Sequence, residues 1–411
     1  MSFPSPSLQN TASTIPIGFP IVMPHGKNPT LTMGDGSVFL RSGLLVPPST
    51  YPKAALCEHL QVLGTTSVSF GTAAGIYDIC TDGGGLNYLA CDNNSANNYY
   101  TTDGGATWGT VAHGLAQGCH TVCYGNGYWL AGGTTAATRK ISRSTTINGT
   151  YSIVDNAGGL SNTNNSGTLI YTGGTNFAFV AQGTTSNNCA FSSNSGGTWV
   201  SKSWATVINV NAARLAISAD GAGKVLCCYG QSTVPQYSTD YGATWQNGTA
   251  NSGAGIYYTS QYYNGQFYFV SNAGQFDVSS NGSTITTGPV IPAGLDAVVA
   301  LNQNNCLQLI GGKLCMLLNS ISGGISGLMM YDGSKFTTKQ LRGTFAIGVV
   351  AALCGNSAGH AVFMSGTSTI VCGATPSINS VDYVGTVREQ VIGYGSSDGR
   401  TAGFQYIKVA G

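Results

Sequence analysis

Short runs of β-branched and aromatic residues recur along most of the chain, separated by clusters of glycine, asparagine and serine. Segment 256–271 illustrates this pattern: Ile256–Ser260 and Gln266–Val270 flank Asn264-Gly265, a dipeptide that strongly favours a two-residue β-hairpin turn. Helical periodicity is nearly absent, and the only helical stretch we predict is Ala54–Leu63. The pattern therefore predicts an all-β fold of many short strands.

One eight-residue segment, Ser/Thr-x-Asp/Asn-x-Gly-x-Thr-Trp, occurs three times, and we call it the octet turn. A fourth copy, Ser144–Tyr151, ends in tyrosine, and weaker copies follow at Ser279–Ile285 and Tyr331–Phe336. The final aromatic residues of the first four are 43, 48 and 46 residues apart, the length of a four-stranded propeller blade. The defining residues of the three full copies are Thr101, Asp103, Gly105, Thr107 and Trp108; Ser192, Asn194, Gly196, Thr198 and Trp199; and Ser238, Asp240, Gly242, Thr244 and Trp245.

Strands placed around these turns predict a β-propeller. The best fit is seven four-stranded blades, near 75–115, 118–158, 166–205, 212–250, 255–292, 297–342 and 347–383, with six or eight as alternatives. In the last blade, Ser380–Val384 is the predicted fourth strand.

Each residue of the octet turn has a physical role in this prediction. The Asp or Asn side chain accepts hydrogen bonds from the backbone amides that follow it, and glycine at the fifth position supplies a positive φ. The Trp places a large apolar surface in the seam between neighbouring sheets. The octet resembles the Asp box, or BNR repeat, of sialidase-like propellers, where it lies between the third and fourth strands of a blade. The resemblance implies a fold and a structural role for the octet.

The two ends of the chain depart from the repeat. Residues 1–70 contain Ile15-Pro16-Ile17-Gly18, then Leu40-Arg41-Ser42-Gly43, then Tyr51-Pro52. This order resembles the phage tail collar pattern and implies an attachment segment; an irregular arm packed on the propeller is the alternative. Residues 384–411 end in the predicted strand Phe404–Val409, similar to the ends of many phage tail proteins. That strand either joins the N-terminal segment or closes the ring, and the propeller itself is assigned to 75–383.

Composition argues against several classes of function. Charged residues make up 8% of the chain and the net charge is +1, so no basic surface for nucleic acid is expected. No apolar segment is long enough for a membrane-spanning helix. The chain has 12 cysteines, most within predicted strands, where we expect reduced thiols packed as small apolar groups. Because no second Cys/His pair accompanies Cys119-His120-Thr121-Val122-Cys123, we predict no metal site, and no cofactor.

A sialidase active site would need a glutamate within the propeller. The two glutamates of the chain, Glu58 and Glu389, lie outside the predicted blades. Other glycosidases use two carboxylates, and the candidates outside the octet turns are Asp78, Asp82, Asp92, Asp155, Asp220, Asp277, Asp296 and Asp382. We interpret these mainly as turn-forming residues and predict no catalytic residue.

Tyrosines near the predicted turns are the candidate ligand-binding residues. Tyr262 and Tyr263 beside Asn264-Gly265 are the first candidates, and Tyr99 and Tyr100 are the next, because tyrosine rings can stack on sugar faces. The alternative is that these rings fill the seams between blades.

The sequence as a whole favours a non-enzymatic bacteriophage tail fibre or baseplate protein, made in the bacterial cytoplasm and carried in the virion. Its expected partners are other tail proteins and a host receptor or surface glycan, with a homotrimer as one assembly considered. A tail-borne glycan hydrolase and a cellular scaffold propeller are the alternatives.

Overall fold

The computed structural model describes residues 20–23, 30–32, 37–41, 62–63, 66–69, 76–92, 95–115, 118–133, 140–156, 167–181, 189–205, 216–228, 234–249, 257–271, 276–290, 307–321, 325–341, 351–365, 371–375, 377–379 and 404–410. The chain divides into two compact units, Thr65–Thr337 with Gly343–Asn379, and Met1–Gly64 with Thr338–Arg342 and Ser380–Gly411. The described residues contain strands and no helix.

The predicted β-propeller is confirmed: seven four-stranded antiparallel blades form a ring. The strands, numbered along the chain, are as follows. Blade 1 has β6 (Ile76–Thr81), β7 (Tyr88–Asp92), β8 (Asn97–Thr101) and β9 (Gly109–Ala112); blade 2 has β10 (Cys119–Gly125), β11 (Tyr128–Gly133), β12 (Lys140–Ser144) and β13 (Ser152–Asn156); blade 3 has β14 (Gly167–Gly173), β15 (Asn176–Ala181), β16 (Cys189–Ser192) and β17 (Val200–Lys202); blade 4 has β18 (Ala216–Ala219), β19 (Val225–Cys228), β20 (Gln236–Ser238) and β21 (Gln246–Asn247).

The remaining blades follow the same order. Blade 5 has β22 (Tyr257–Tyr263), β23 (Gln266–Ser271), β24 (Phe276–Ser279) and β25 (Thr286–Thr287); blade 6 has β26 (Leu307–Ile310), β27 (Lys313–Ile321), β28 (Ile325–Tyr331) and β29 (Phe336–Leu341); blade 7 has β30 (Ala351–Gly355), β31 (Ala361–Ser365), β32 (Val371–Thr375) and β5 (Thr66–Ser69).

The ring is closed by β5, a strand that comes before the first blade in the chain. It pairs antiparallel with β32, so that Ser69 lies opposite Val371 and Thr66 opposite Ala374. The predicted fourth strand at 380–384 lies outside the described residues, and 66–69, which the sequence assigned to the N-terminal segment, takes that place. The predicted helical stretch at 54–63 is wrong at its end, since Val62–Leu63 forms strand β4; its other residues are not described.

Buried polar side chains of the innermost strands join one blade to the next. Asp78 of β6 is fully buried, and its two carboxylate oxygens accept hydrogen bonds from the amides of Ile79 (2.8 Å) and Val122 (3.1 Å) and from the hydroxyl of Thr121 (2.9 Å). The Thr121 hydroxyl in turn accepts the amide of Leu169 in blade 3 (3.0 Å). Asp78 and Thr121 each follow a β-bulge, and Thr259 repeats the arrangement from blade 5 to Leu307 of blade 6 (3.2 Å).

The octet turns form the predicted hydrogen bonds. In blade 1 the Thr101 hydroxyl donates to Asp103 (2.7 Å) and accepts the amide of Gly105 (2.9 Å), while Asp103 accepts the amide of Thr107 (2.9 Å). Blades 3 and 4 repeat these three bonds at 3.0, 3.0 and 2.8 Å and at 2.7, 2.8 and 2.8 Å. Each turn connects the third strand of its blade to the fourth.

The fifth-position glycines also set the distance to the preceding blade. Gly196 has φ 74°, and a Cβ there would lie 2.6 Å from Cδ2 of Leu130, a fully buried side chain of blade 2. The same approach occurs at 3.2 Å for Gly105 against Ala374 and at 3.1 Å for Gly242 against Ala178. Glycine is therefore required both by backbone conformation and by the fit between blades.

The aromatic residue that ends each octet turn packs into the same seam. Trp199 and Trp245 are buried, and Trp199 lies against Leu130 and Ile141 of blade 2. The indole N–H groups of Trp108 and Trp199 donate to the carbonyls of their own turn glycines at 3.2 and 3.1 Å. In blade 2, Tyr151 fills this place, and its hydroxyl donates to the carbonyl of Ile147 (3.3 Å).

The other unit contains a separate sheet. Its strands are β1 (Pro20–Met23), β2 (Thr30–Thr32), β3 (Ser37–Arg41) and β33 (Phe404–Ala410), in the order β1-β33-β3-β2. The last strand of the chain lies between two strands from its beginning, with Ile407 between Pro20 and Leu40. Also within this unit, β4 pairs in parallel with Gln340 and Leu341. Of the two predicted placements for the C-terminal strand, the structure shows pairing with the N-terminal segment.

The buried carboxylate between blades gives a first test. Asp78→Asn should lower the free energy of unfolding by about 2 kcal/mol, because its –NH₂ group must face a buried N–H or O–H donor. Asp220→Asn is the matched control: both donors, the amides of Ala222 and Lys224, use one oxygen, which asparagine keeps. Urea denaturation of both variants measures the difference, and equal losses would contradict this account.

The glycine fit gives a second test. Gly196→Ala should cost about 2 kcal/mol, since the strain of a positive φ adds to the displacement of Leu130. Gly127→Ala is the control, because Gly127 has φ 80° with nothing within 4 Å of an added Cβ, and it should cost about 1 kcal/mol. Thermal melting of the two variants checks the order, and a larger loss for Gly127→Ala would refute the role of the seam.

Candidate functional site

The central channel of the propeller is the candidate site. The first strands of all seven blades line one cavity of about 200 Å³. Six of its lining residues occupy equivalent positions in the pairing between the first and second strands of their blades. We call these the inner ring: Cys80, Cys123, Ile170, Gln261, Gln308 and Cys354. Blade 4 contributes Ile217.

One side of the inner ring is formed by thiols from three consecutive blades, 7, 1 and 2. Burial raises the pKa of Cys80 well above its ordinary value, and the neighbouring Cys123 and Cys354 raise it further. Burial also raises the pKa of Cys354. Cys80 and Cys354 are therefore protonated at neutral pH and act as small apolar groups.

The other side of the ring carries amides. Gln261 of blade 5 and Gln308 of blade 6 are half-buried and lie side by side in the order of blades. Two buried hydroxyls of the cavity wall, Thr168 and Ser260, have no hydrogen-bond partner in the structure. Among the described residues that line the cavity, none is acidic, basic or histidine. The described lining is thus neutral, with both amides on one side and the two unpaired hydroxyls in blades 3 and 5.

Three blades have an aromatic pair one position closer to the hairpin that joins their first two strands. Tyr124 packs on Trp129 with ring centroids 4.6 Å apart, and Tyr124 also lines the cavity. The equivalent pairs are Tyr171 with Phe177 at 5.1 Å in blade 3 and Tyr262 with Phe267 at 4.9 Å in blade 5. Tyr262 is half-buried, and its role in ligand binding stays a prediction.

Tyr263, the other first candidate for ligand binding, is buried. Only 8% of the residue is exposed, and its hydroxyl donates to the carbonyls of Gly312 and Asp332 in blade 6, both at 3.0 Å. Because side chains alternate along a strand, Tyr262 and Tyr263 face opposite neighbouring blades.

The other two predicted tyrosines are also divided between seams. Tyr99 packs in the core shared with blade 7, and Tyr100 packs in the core shared with blade 2. Both are half-buried on strand β8, and the Tyr100 ring covers Gly109 on the neighbouring strand. Burial raises the pKa of Tyr99, and Asp92 adds to the effect. The alternative, that these rings fill seams, describes their position.

Four of the candidate carboxylates outside the octet turns, Asp78, Asp82, Asp220 and Asp277, have hydrogen-bond partners within the fold. Asp82 accepts from Gly85 and Asn87 in a turn, Asp220 accepts from two amides of its turn, and Asp277 accepts the Tyr257 hydroxyl at 2.5 Å. Asp78 joins blades, as described above. Asp296 and Asp382 and the side chain of Asp155 lie outside the part of the chain that the structure describes.

The structure also locates the cysteines and the histidine considered as metal ligands. Eight cysteines are described as thiols outside any disulfide, seven of them buried and Cys80 half-buried. Among the residues whose placement is given, no three His, Cys, Asp or Glu side chains form a group that could hold a metal ion. The same residues include no helix of the length and apolar composition needed to cross a membrane.

His120 lies at the opposite end of the innermost strands from the hairpins. It is the bulged residue of β10 and stacks on Tyr77, the bulged residue of β6, with centroids 4.7 Å apart. Its Nδ1 is buried without a partner, and burial lowers its pKa to about 4. Burial also lowers the pKa values of His113 and His360.

Several residues of the site escaped sequence analysis, although a local signal exists. Gln261 stands three residues before the hairpin dipeptide Asn264-Gly265, and Gln308 stands three before Gly311-Gly312. Cys123 has the same spacing from Asn126-Gly127. The residue three positions before each such dipeptide therefore lines the channel.

Comparison with known proteins shows the fold alone. No family model and no curated protein sequence matches the chain. The chain is similar to YCF48 bound to D1 peptide, with a TM-score of 0.56 and 12% identity over 77% of this chain and 97% of that one. It is similar to U3-55K (TM-score 0.52, 9% identity, 75% and 98%) and to the GH74 xyloglucanase from Xanthomonas campestris (0.50, 12%, 74% and 43%). Similar propellers thus occur both in a protein that binds a D1 peptide and in a xyloglucanase, and the chain spans less than half of that xyloglucanase.

The buried histidines predict a stability loss in mild acid. A group with a folded pKa of about 4 against 6.5 destabilises the fold progressively as the pH falls between these values, because the unfolded chain binds the proton more tightly. His120→Phe keeps a ring against Tyr77 and removes this titration. Its melting temperature should therefore fall less than that of the wild type between about pH 7 and about pH 4.5.

Calorimetry over this pH range distinguishes the effect of histidine titration on stability from that of carboxylate titration. In Asp103, burial raises the pKa, but hydrogen bonds from Thr107 and Thr101 outweigh it and bring the pKa to about 2. That carboxylate therefore stabilises the fold above its ordinary pKa of 3.8 and loses the contribution only at lower pH. The same pH slope in the wild type and in His120→Phe would contradict the prediction.

Proposed function

We propose that the chain is a non-enzymatic bacteriophage virion protein that uses its propeller to bind a host receptor or surface glycan. The observation that carries the proposal is the neutral lining of the channel, whose described residues offer amide, hydroxyl and thiol groups and include no carboxylate. Hydrolysis of a glycosidic bond by the usual route needs two carboxyl groups facing the bond. The described carboxylates within or directly after the channel strands are Asp78, Asp82 and Asp220, and each accepts hydrogen bonds within the fold.

The ends of the chain support attachment to a particle. They form one sheet in which β33 lies between β1 and β3, and this sheet belongs to a different compact unit from the propeller. The sequence order of residues 15–52 resembles the phage tail collar pattern, and the sequence of the final strand resembles the ends of many phage tail proteins. We propose other tail proteins as its partners and the virion as its location.

In this proposal the octet turns have a structural role and do not contact the ligand. Their resemblance to the Asp box agrees with the hydrogen bonds of Thr101, Asp103 and Gly105, which hold the turn itself. The residues that meet a ligand then come from the channel and from the connections between strands.

Purified protein tests the proposal directly. We expect the labelled full-length chain to bind cells of the bacterium that its phage infects, and mass spectrometry to detect it in purified virions. Incubation with envelope polysaccharide should release no oligosaccharide. Release that Asp82→Asn abolishes would instead establish a hydrolase, and absence from virions would remove the attachment role.

A further inference from the structure

The two sides of the inner ring differ in chemistry, although the blades repeat. Gln261 and Gln308 come from adjacent blades 5 and 6, and in a ring of seven the junction of these blades lies opposite blade 2. Blade 2 contributes Cys123, and its neighbours contribute Cys80 and Ile170. A molecule in the channel therefore meets amides on one side and thiol or aliphatic groups on the other.

The amide side suits vicinal hydroxyls. Each glutamine offers two N–H donors and one carbonyl acceptor, so one side chain can both donate to and accept from neighbouring hydroxyl groups. The Gln261 amide makes one long contact, 3.5 Å to the carbonyl of Tyr262, which leaves most of its hydrogen-bonding capacity for a ligand. Gln308 is half-buried at the same ladder position of blade 6.

Size and charge restrict the ligand further. A volume of about 200 Å³ holds about six waters, or one small ring in their place. A carboxylate or phosphate in the channel would be partly desolvated without a cation among the lining residues, at a substantial cost. The Tyr124 ring and the Ile170 side chain provide apolar surface for the C–H face of a sugar ring.

We infer that the inner ring binds an uncharged monosaccharide unit, with its hydroxyls on Gln261 and Gln308 and its apolar face toward Cys123 and Ile170. The inference rests on the proposed function and deepens it, since it names the ligand class as the neutral terminal sugar of a surface glycan. It excludes sialic and uronic acids as ligands of this channel.

Calorimetric titration and saturation-transfer NMR on the full-length chain test the site. The probes are the methyl glycosides of glucose, galactose and N-acetylglucosamine, with glucuronic acid and N-acetylneuraminic acid as charged counterparts. We expect at least one neutral glycoside to bind at least tenfold more tightly than either acid. Gln261→Met with Gln308→Met should weaken that binding roughly tenfold or more, because two hydrogen-bonding groups are lost while side-chain length is kept.

Gln246→Met is the matched control, since Gln246 is exposed on β21, the outermost strand of blade 4. It should leave sugar binding unchanged, and the single variant Gln308→Asn should weaken binding while it retains an amide. Melting curves of all variants show that each is folded. Equal affinity of the double variant and the wild type, binding of the acids, or binding of none of the three glycosides overturns the inference.

Cell binding separates this inference from the function on which it rests. If the double variant binds cells as well as the wild type, the receptor surface lies elsewhere; the inference then fails and the proposed function stands. If a glycoside binds through Gln261 and Gln308 but the wild type binds no cells, the sugar site stands and the proposed function fails.

Discussion

The propeller depends on hydrogen bonds that cross from the innermost strand of one blade to the backbone of the next. Asp78 and Thr121 carry this connection through the first three blades, and Thr259 repeats it between blades 5 and 6. The bonds lie where the strands are fully buried, so their donors have no water to replace a lost acceptor. The apolar seams hold neighbouring sheets together, whereas these polar contacts set the register in which the sheets meet.

This arrangement separates the structural residues from those open to functional change. The octet turns and their aromatic residues act in the seams, away from the inner ring. Inner-ring residues point into the channel and can differ from blade to blade without disturbing the repeat. The Cys80 side and the Gln308 side differ in this way. The channel therefore has two chemically different sides, although the blades around it are similar.

Local sequence could predict the repeat but not the pairings between distant segments. The octet turn is formed by contacts within five residues, so Thr101 and Asp103 identify it without any tertiary context. The inner ring joins residues from separate blades, and Gln261 and Gln308 become neighbours only when blades 5 and 6 pack together. Tyr262 and Tyr263 were both predicted to bind a ligand, because composition does not reveal which neighbouring blade each ring faces. The partner of β32 was missed for the same reason, since it lies about 300 residues earlier in the chain.

The pairing of β5 with β32 also bears on synthesis. Ser69 leaves the ribosome long before Val371, its partner in the seventh blade. Until then the edge of β5 has no mate, and the first six blades can only form an open arc. Closing so long a loop costs entropy that grows only slowly with its length, so the delay arises mainly from the order of translation. The nascent arc is the stage at which a chaperone or a second nascent chain would meet exposed strand edges.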